Sequence, residues 1–343
     1  MSMAINGFGR IGRMVLRAFL EQESQESNDL PFAITAINDL TPIDVSAHLF
    51  AYDSVHGKLR AHVEIQDNML IIQGRQRTHR IHVVNEADPI KLPWKAHNID
   101  VVLECSGHFT DGASAKAHLE AGAKKVFISA PATNVDVTIV FGVNHTSLNP
   151  SDRIFSNASC TTNCLAPVAK VLHETFGIAH GYMTTIHSYT ADQKLVDSAH
   201  KDLYRARAAA LSLIPTTTGA AKAVGLVLPD LKGKLDGTAI RVPTPNVSLI
   251  DFKFTTEKPV TVAGINAVMR EAAAVGEPLH GILGINDLPL VSVDFNGNSH
   301  SAIFDTTQTQ VLGENFARVL SWYDNEWGFS NRMVDLLNHL TKL

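Results

Sequence analysis

The sequence predicts an α/β chain in two parts, a doubly wound parallel sheet followed by an α+β domain. Three observations carry this. Gly7-Phe8-Gly9-Arg10-Ile11-Gly12 joins a short apolar run to a helical pattern. Short apolar runs then recur as far as residue 141, with helix-like stretches among them. Beyond Cys160 the rhythm stops and longer, alternating runs take over. A length of 343 residues suits about two domains.

The first strand is the run Ala4-Ile5-Asn6. After the glycines, Ile11, Met14, Val15, Ala18 and Phe19 fall at helical spacing. In a Gly-x-Gly-x-x-Gly turn of this kind Gly7 makes the tight turn, Gly9 lets a pyrophosphate approach the backbone, and Gly12 permits close helix–strand packing. A Rossmann-type dinucleotide cradle over Gly7, Phe8, Gly9, Arg10, Ile11 and Gly12 is therefore expected. The polar stretch 21–29 reads as a solvated loop inserted after the helix. Residues 32–37 form the second strand, and Asp39 stands at its end, where a carboxylate bonds the adenosine ribose hydroxyls and disfavours a 2′-phosphate. It comes later than the usual offset of about 20 residues, and the inserted loop accounts for the delay. Capping a following turn is the alternative role for Asp39.

Residues 99–103, 125–128 and 138–141 are further apolar runs, as expected for central strands covered on both faces. Ser106, Gly107 and Ser129 follow the first two of these, at strand ends where an open α/β sheet binds ligands. Residues 113–121 have the composition of a helix.

Residues 153–156 read as a short strand and 161–176 as a helix, with Leu165, Val168, Leu172 and Phe176 near one face. Cys160 then sits at a helix N-terminus, where unpaired N–H groups and the dipole lower a thiol pKa and can hold an oxyanion. A buried structural cysteine is the alternative. Cys164, one turn on, reads as packing first and as a redox partner second, because helix geometry resists a bridge between the two. Residues 181–187 form a strand that delivers His187 to an irregular, basic stretch, 188–207. Residues 239–242, 247–254 and 290–295 are expected strands, and 261–275 a helix. Met333, Leu336, Leu337 and Leu340 share one face of a terminal helix, expected to pack on the first domain. The boundaries predicted are 1–158 for the dinucleotide domain, 159–324 for the catalytic domain and 325–343 for the returning helix.

Charged residues make up 18% and hydrophobic ones 45%, the values of an ordinary globular protein. A net charge of −5 and the lack of a Lys/Arg run speak against nucleic acid as a partner. Only three cysteines occur, Cys105, Cys160 and Cys164, which suits a reducing interior. No secretory start, no bilayer-length apolar run and no zinc-like ligand spacing is seen, so a cytoplasmic protein without metal is expected.

Several longer motifs resemble one family. Ile5–Arg13, Ser129-Ala130-Pro131-Ala132, Ser156–Cys164, His187–Gln193, Pro215–Val224, Arg241–Val247 and Trp322–Gly328 are, in this order, similar to phosphorylating glyceraldehyde-3-phosphate dehydrogenase of the bacterial type. The resemblance spans nearly the whole chain. It implies NAD as cofactor and oxidative phosphorylation of glyceraldehyde 3-phosphate to 1,3-bisphosphoglycerate, through a thiohemiacetal and a thioester on Cys160. It implies His187 as the base, and Asn325 as the residue that bonds the nicotinamide carboxamide. It places Thr190, Asp192 and Arg241 at the substrate phosphate, with Asp192 orienting its neighbours. Ser159, Thr161, Thr218, Gly219 and Arg205 fall at the attacking phosphate, with Arg207 close enough to compete with Arg205. It also implies a homotetramer, with the 188–207 stretch near a neighbour's cofactor.

Phe329 departs from the family's usual tyrosine. Residues 196–200 lack the Leu-Pro pair of NAD-specific bacterial relatives, which leaves weaker NADP use open, while Asp39-Leu40 favours NAD. Erythrose-4-phosphate dehydrogenase is the nearest rival, although Thr216–Gly219 and His187–Thr190 fit the glyceraldehyde-phosphate enzyme better. A cysteine hydrolase has no use for the glycine loop, and a non-catalytic dinucleotide-binding protein has none for Cys160 and His187.

Overall fold

A computed structural model describes residues 1–24 and 30–343. The chain divides into two compact units, one of residues 1–139, 145–158 and 330–343, the other of residues 140–144 and 159–329.

The first unit is built on a nine-stranded sheet. Strand Ser2–Asn6 lies inside it, parallel to Ala33–Asn38 on one side and Val101–Glu104 on the other. Lys125–Ile128, Ile154–Ser156 and Val137–Thr138 continue the parallel half outward. On the opposite side come Thr78–Val84, parallel, then Met69–Gln73 and His62–Gln66, antiparallel. The chain leaves the first strand to one side and returns to the other, which opens a crevice at the strand ends. The antiparallel edge escapes a sequence reading because His79 and Arg80 break the apolar alternation, although His79 is buried and Arg80 exposed.

Helix Arg10–Glu23 corrects the expected loop at residues 21–29. It continues through Glu23, whose buried carboxylate pairs with Arg77 and with His79, the latter at 2.8 Å. Residues 25–29 of that expected loop lie outside the described residues. Met333, Leu336, Leu337 and Leu340 of helix Trp327–Leu340 are buried. Gln22 donates to Asn331 at 3.2 Å and to Asp335 at 3.0 Å, joining the two helices.

The second unit holds a seven-stranded, mainly antiparallel sheet in the order Ile214–Thr217, Leu235–Val242, Ile178–Ser188, Ser248–Thr256, Phe316–Tyr323, Ala302–Leu312, Leu283–Asn286. Helix Cys160–Phe176 packs against it. Ser248–Thr256 alternates buried and half-buried along its whole length, as a strand with one covered face must. Residues 290–295 are not the expected strand. Asp294 accepts from the Val291 N–H at 2.8 Å and winds Ser292–Phe295 into a 3₁₀ turn, leaving Val291 and Val293 exposed. The strand expected at 138–141 is only Val137–Thr138, because Asn144 accepts from the Val140 N–H at 2.8 Å and turns the chain.

Candidate active site

In the first unit the glycine loop follows the innermost strand directly. Gly7 has φ +91°, and a Cβ there would strike the Ser106 backbone, so the loop after the first strand lies against the loop after Val101–Glu104. A Cβ on Gly12 would strike the Gly7 carbonyl. Above Gly9 the space is open, and no side chain caps the helix that begins at Arg10. That combination is a cradle for a diphosphate, with room that a side chain would fill and a helix N-terminus facing it. Asp39 accepts from the Phe8 N–H at 2.5 Å and from the Thr41 N–H at 2.8 Å, which brings it beside the cradle despite the sequence distance. Gly107 has φ +75°, and the Ser129 N–H donates to the Glu104 carbonyl at 3.0 Å. The residues present therefore fit a dinucleotide. Arg10 forms a two-pronged pair with Asp53, whose side chain is almost covered, at 2.5 and 3.1 Å, a partner no motif revealed.

In the second unit Ser159 is the N-cap, accepting from the Thr162 N–H at 3.0 Å, so Cys160 is the first residue of its helix. Its Sγ lies 3.5 Å from His187 Nε2. Sheet register places His187 directly beside Arg241 on the parallel neighbouring strand. His187 Nδ1 is 2.7 Å from the Ser188 carbonyl and 2.6 Å from Arg241 Nη1, and that nitrogen also donates to the carbonyl at 3.0 Å. The carbonyl favours a proton on Nδ1, whereas the guanidinium favours a lone pair there, so Arg241 governs which ring nitrogen is protonated.

The expected low thiol pKa is not what this environment produces. Burial pushes the Cys160 thiol up, although the Arg241 charge and hydrogen bonds from Thr161 pull it down. Burial, and then the Arg241 charge, bring His187 down to about 3. Thiol and imidazole thus rest neutral together. Cys164 is fully buried and its thiol is pushed up by burial, which accords with packing.

Tyr323 was missed by the sequence reading. Its hydroxyl bonds Thr161 Oγ1 at 2.8 Å and Thr185 Oγ1 at 2.9 Å, and its ring meets that of His187 edge-on. The Thr161 hydroxyl is thereby engaged in the interior, and the Ser159 hydroxyl in its cap. Asn325 Oδ1 accepts from the Ser188 and Ser248 hydroxyls at 2.8 and 2.9 Å, which fixes its amide so that the other end, the NH₂, is the donor. Register across the sheet, invisible in the sequence, creates both arrangements.

Arg205 donates to Asp192 at 2.6 Å, to Thr216 Oγ1 at 2.8 Å and to the Thr217 carbonyl at 3.3 Å. Arg207 instead pairs with Asp197, both well exposed. Thr190 is held by Gln193, the last residue of its own motif, and Asp192 by His200, a support the motifs did not disclose. Thr218 Oγ1 accepts from the Ala220 N–H at 3.1 Å, and Gly219 precedes helix Ala220–Val227 with open space at its Cβ position. The charges of Arg205 and Asp192 both act on Arg241.

The family described as "Glyceraldehyde 3-phosphate dehydrogenase, NAD binding domain" matches residues 1–112, and "Glyceraldehyde 3-phosphate dehydrogenase, C-terminal domain" matches residues 159–325. The chain belongs to the glyceraldehyde-3-phosphate dehydrogenase family. It is similar to the glyceraldehyde-3-phosphate dehydrogenase of Cereibacter sphaeroides, 56% identical over 97% of this chain and 96% of the relative. The enzymes of that name from Xanthobacter flavus and Geobacillus stearothermophilus are 54% and 55% identical, over 99% and 98% of this chain and 98% and 97% of their own lengths. Both family domains are therefore represented, the Rossmann-type NAD-binding domain and the C-terminal domain, in the order seen in the structure.

Proposed function

We propose that this chain is an NAD-dependent glyceraldehyde-3-phosphate dehydrogenase that forms 1,3-bisphosphoglycerate from glyceraldehyde 3-phosphate and inorganic phosphate, in glycolysis or gluconeogenesis. The Cys160–His187 contact beside Arg241, in a chain more than half identical to enzymes of that name, carries the reading. We read residues 1–158 as the dinucleotide domain, 159–324 as the catalytic domain and 325–343 as the returning helix.

Arg241, with Thr190 and Asp192 nearby, receives the substrate phosphate. An anion on Arg241 draws the guanidinium from His187 Nδ1, so that Nδ1–H donates to the Ser188 carbonyl and Nε2 is left as a base. Nε2 then takes the Cys160 proton as Sγ adds to the aldehyde carbon, and returns it to the oxygen to give a thiohemiacetal. In the oxidation Nε2 accepts the hydroxyl proton, and hydride loss leaves a thioester on Cys160. Bound NAD supplies the acceptor for that hydride. Gly7, Phe8, Gly9, Arg10, Ile11 and Gly12 hold its diphosphate, Asp39 its ribose, and Ser106, Gly107 and Ser129 flank it. Asn325 orients the nicotinamide amide. Phosphate on Arg205, Thr218 and Gly219, with Ser159 and Thr161, attacks the thioester carbon and releases the Cys160 thiolate.

A homotetramer accords with the apolar side chains displayed by one loop region. Leu195, Leu203 and Leu211 are each more than 80% exposed there, apolar side chains that a protein partner would cover. A cytoplasmic location suits three unpaired cysteines. Among the described residues no helix is long and apolar enough to cross a membrane.

NADH formation followed at 340 nm tests the reading, with glyceraldehyde 3-phosphate, with and without inorganic phosphate, beside Cys160→Ser. Phosphate-dependent reduction that vanishes in the variant is expected. Faster turnover of erythrose 4-phosphate would transfer the assignment to that sugar, and no reduction with either would leave a dinucleotide-binding protein.

A further inference from the structure

Glu104 is a fully buried carboxylate at the end of strand Val101–Glu104, two residues before the loop against which Gly7 lies. Each of its neighbours is a donor, and the polarity of each is forced from farther away. Asn38 accepts from the Glu86 N–H and donates to the Glu86 carbonyl, both at 2.9 Å, which sets its amide. Asn38 then donates to Asn6 Oδ1 at 2.7 Å, so Asn6 must present its NH₂ to Glu104, at 2.6 Å. On the other flank the indole N–H of buried Trp94, which can only donate, occupies His118 Nδ1 at 3.1 Å. The His118 proton is therefore on Nε2, 3.0 Å from Glu104 Oε2. The remaining oxygen, Oε1, accepts from the Ser106 N–H at 2.8 Å and from the Ser106 hydroxyl.

An acceptor-only group fits this nest, and an amide does not. The geometry points to Glu104 as a positioning residue for the NAD crevice: its carboxylate, oriented by Asn6 and by the Trp94–His118 pair, clamps Ser106 and so fixes the wall on which the glycine loop rests. The Ser106 hydroxyl proton is committed to Glu104, so its oxygen meets the crevice as an acceptor; it already accepts from the His108 N–H at 3.2 Å. The role rests on reading Ser106 and Gly107 as a wall of that crevice.

NAD titration of the apo protein by fluorescence tests it, together with amide exchange across residues 106–108 without NAD, in Glu104→Gln, Ser106→Ala, the double variant and Gly9→Val. Glu104→Gln is expected to weaken NAD binding about tenfold, the scale of a lost charge-assisted hydrogen bond, and Ser106→Ala about threefold. Because Glu104 acts through Ser106, the two losses should not multiply, and the double variant should bind no worse than Glu104→Gln. Exchange across residues 106–108 should speed up in both single variants, while kcat at saturating NAD holds in Glu104→Gln. Multiplying losses, or a folded Glu104→Gln with the parent affinity, would overturn the role. If Glu104→Gln fails to fold, parent-like exchange in Ser106→Ala overturns it instead. Gly9→Val reports on the crevice itself: loss there with Glu104→Gln intact removes only the Glu104 role, and parent affinity in both removes the crevice reading.

Discussion

Three side chains, Cys160, His187 and Arg241, carry the proposed chemistry at the scale of single residues, and Arg241 is the one that adjusts the other two. Its charge holds His187 down and draws the Cys160 thiol below the level that burial alone would impose. Alkylation of the free protein by iodoacetamide should therefore rise with pH and reach its midpoint above about 8.5, the value of an ordinary thiol. Arg241→Leu should move that midpoint higher still, and a midpoint below the ordinary value would contradict the neutral resting pair. His187 also links folding to pH. Its folded pKa lies below that of the unfolded chain, so the unfolded chain binds the extra proton. The resulting stability is full above about 6.5 and is lost as pH falls toward 3. Melting temperature followed downward from neutral pH should fall less steeply in His187→Asn than in the parent. Tyr323→Phe should cost about 1–3 kcal/mol in thermal unfolding, through the stranded Thr161 and Thr185 hydroxyls.

At the level of elements, the glycine turn and the cysteine helix are where sequence and structure agree most closely. Both are local devices: a backbone that must bend at Gly7 and a helix whose first residue is Cys160. Gly12→Ala drives a methyl into the Gly7 carbonyl, and overpacking of this kind costs about 1–3 kcal/mol. The variant should lose NAD affinity in titration while keeping Cys160 alkylation, since that thiol sits in the other unit. Elements that depend on distant partners were less legible. Ala302–Leu312 hides behind the polar run Asp305–Gln308, where the pairing with Phe316–Tyr323 shifts register. Residues 290–295 carry a strand-like alternation, yet one hydrogen bond donated by the Val291 N–H to the Asp294 side chain winds them into a turn. The hydroxyls that hold Asn325 and the rings around His187 come together only through sheet register, which no window of sequence contains.

For the molecule as a whole, the exposed loop leucines tie the proposed assembly to solubility as well as architecture. For the proposed homotetramer, Leu203→Asp with Leu211→Asp should give smaller species than the parent in sedimentation velocity, and a parent-sized species would place the proposed interface elsewhere. His187 and Arg241 are 54 positions apart and are held side by side by a parallel strand pair rather than by the chain between them. Within that excursion, strand Ile214–Thr217 and the Arg205–Asp192 pair bear on Arg241, whereas the exposed stretch around Leu195 and Leu203 does not hold the pair together. Selection, or an engineer, can rewrite that exposed stretch while the side-by-side pair, fixed by strand register, is inherited intact.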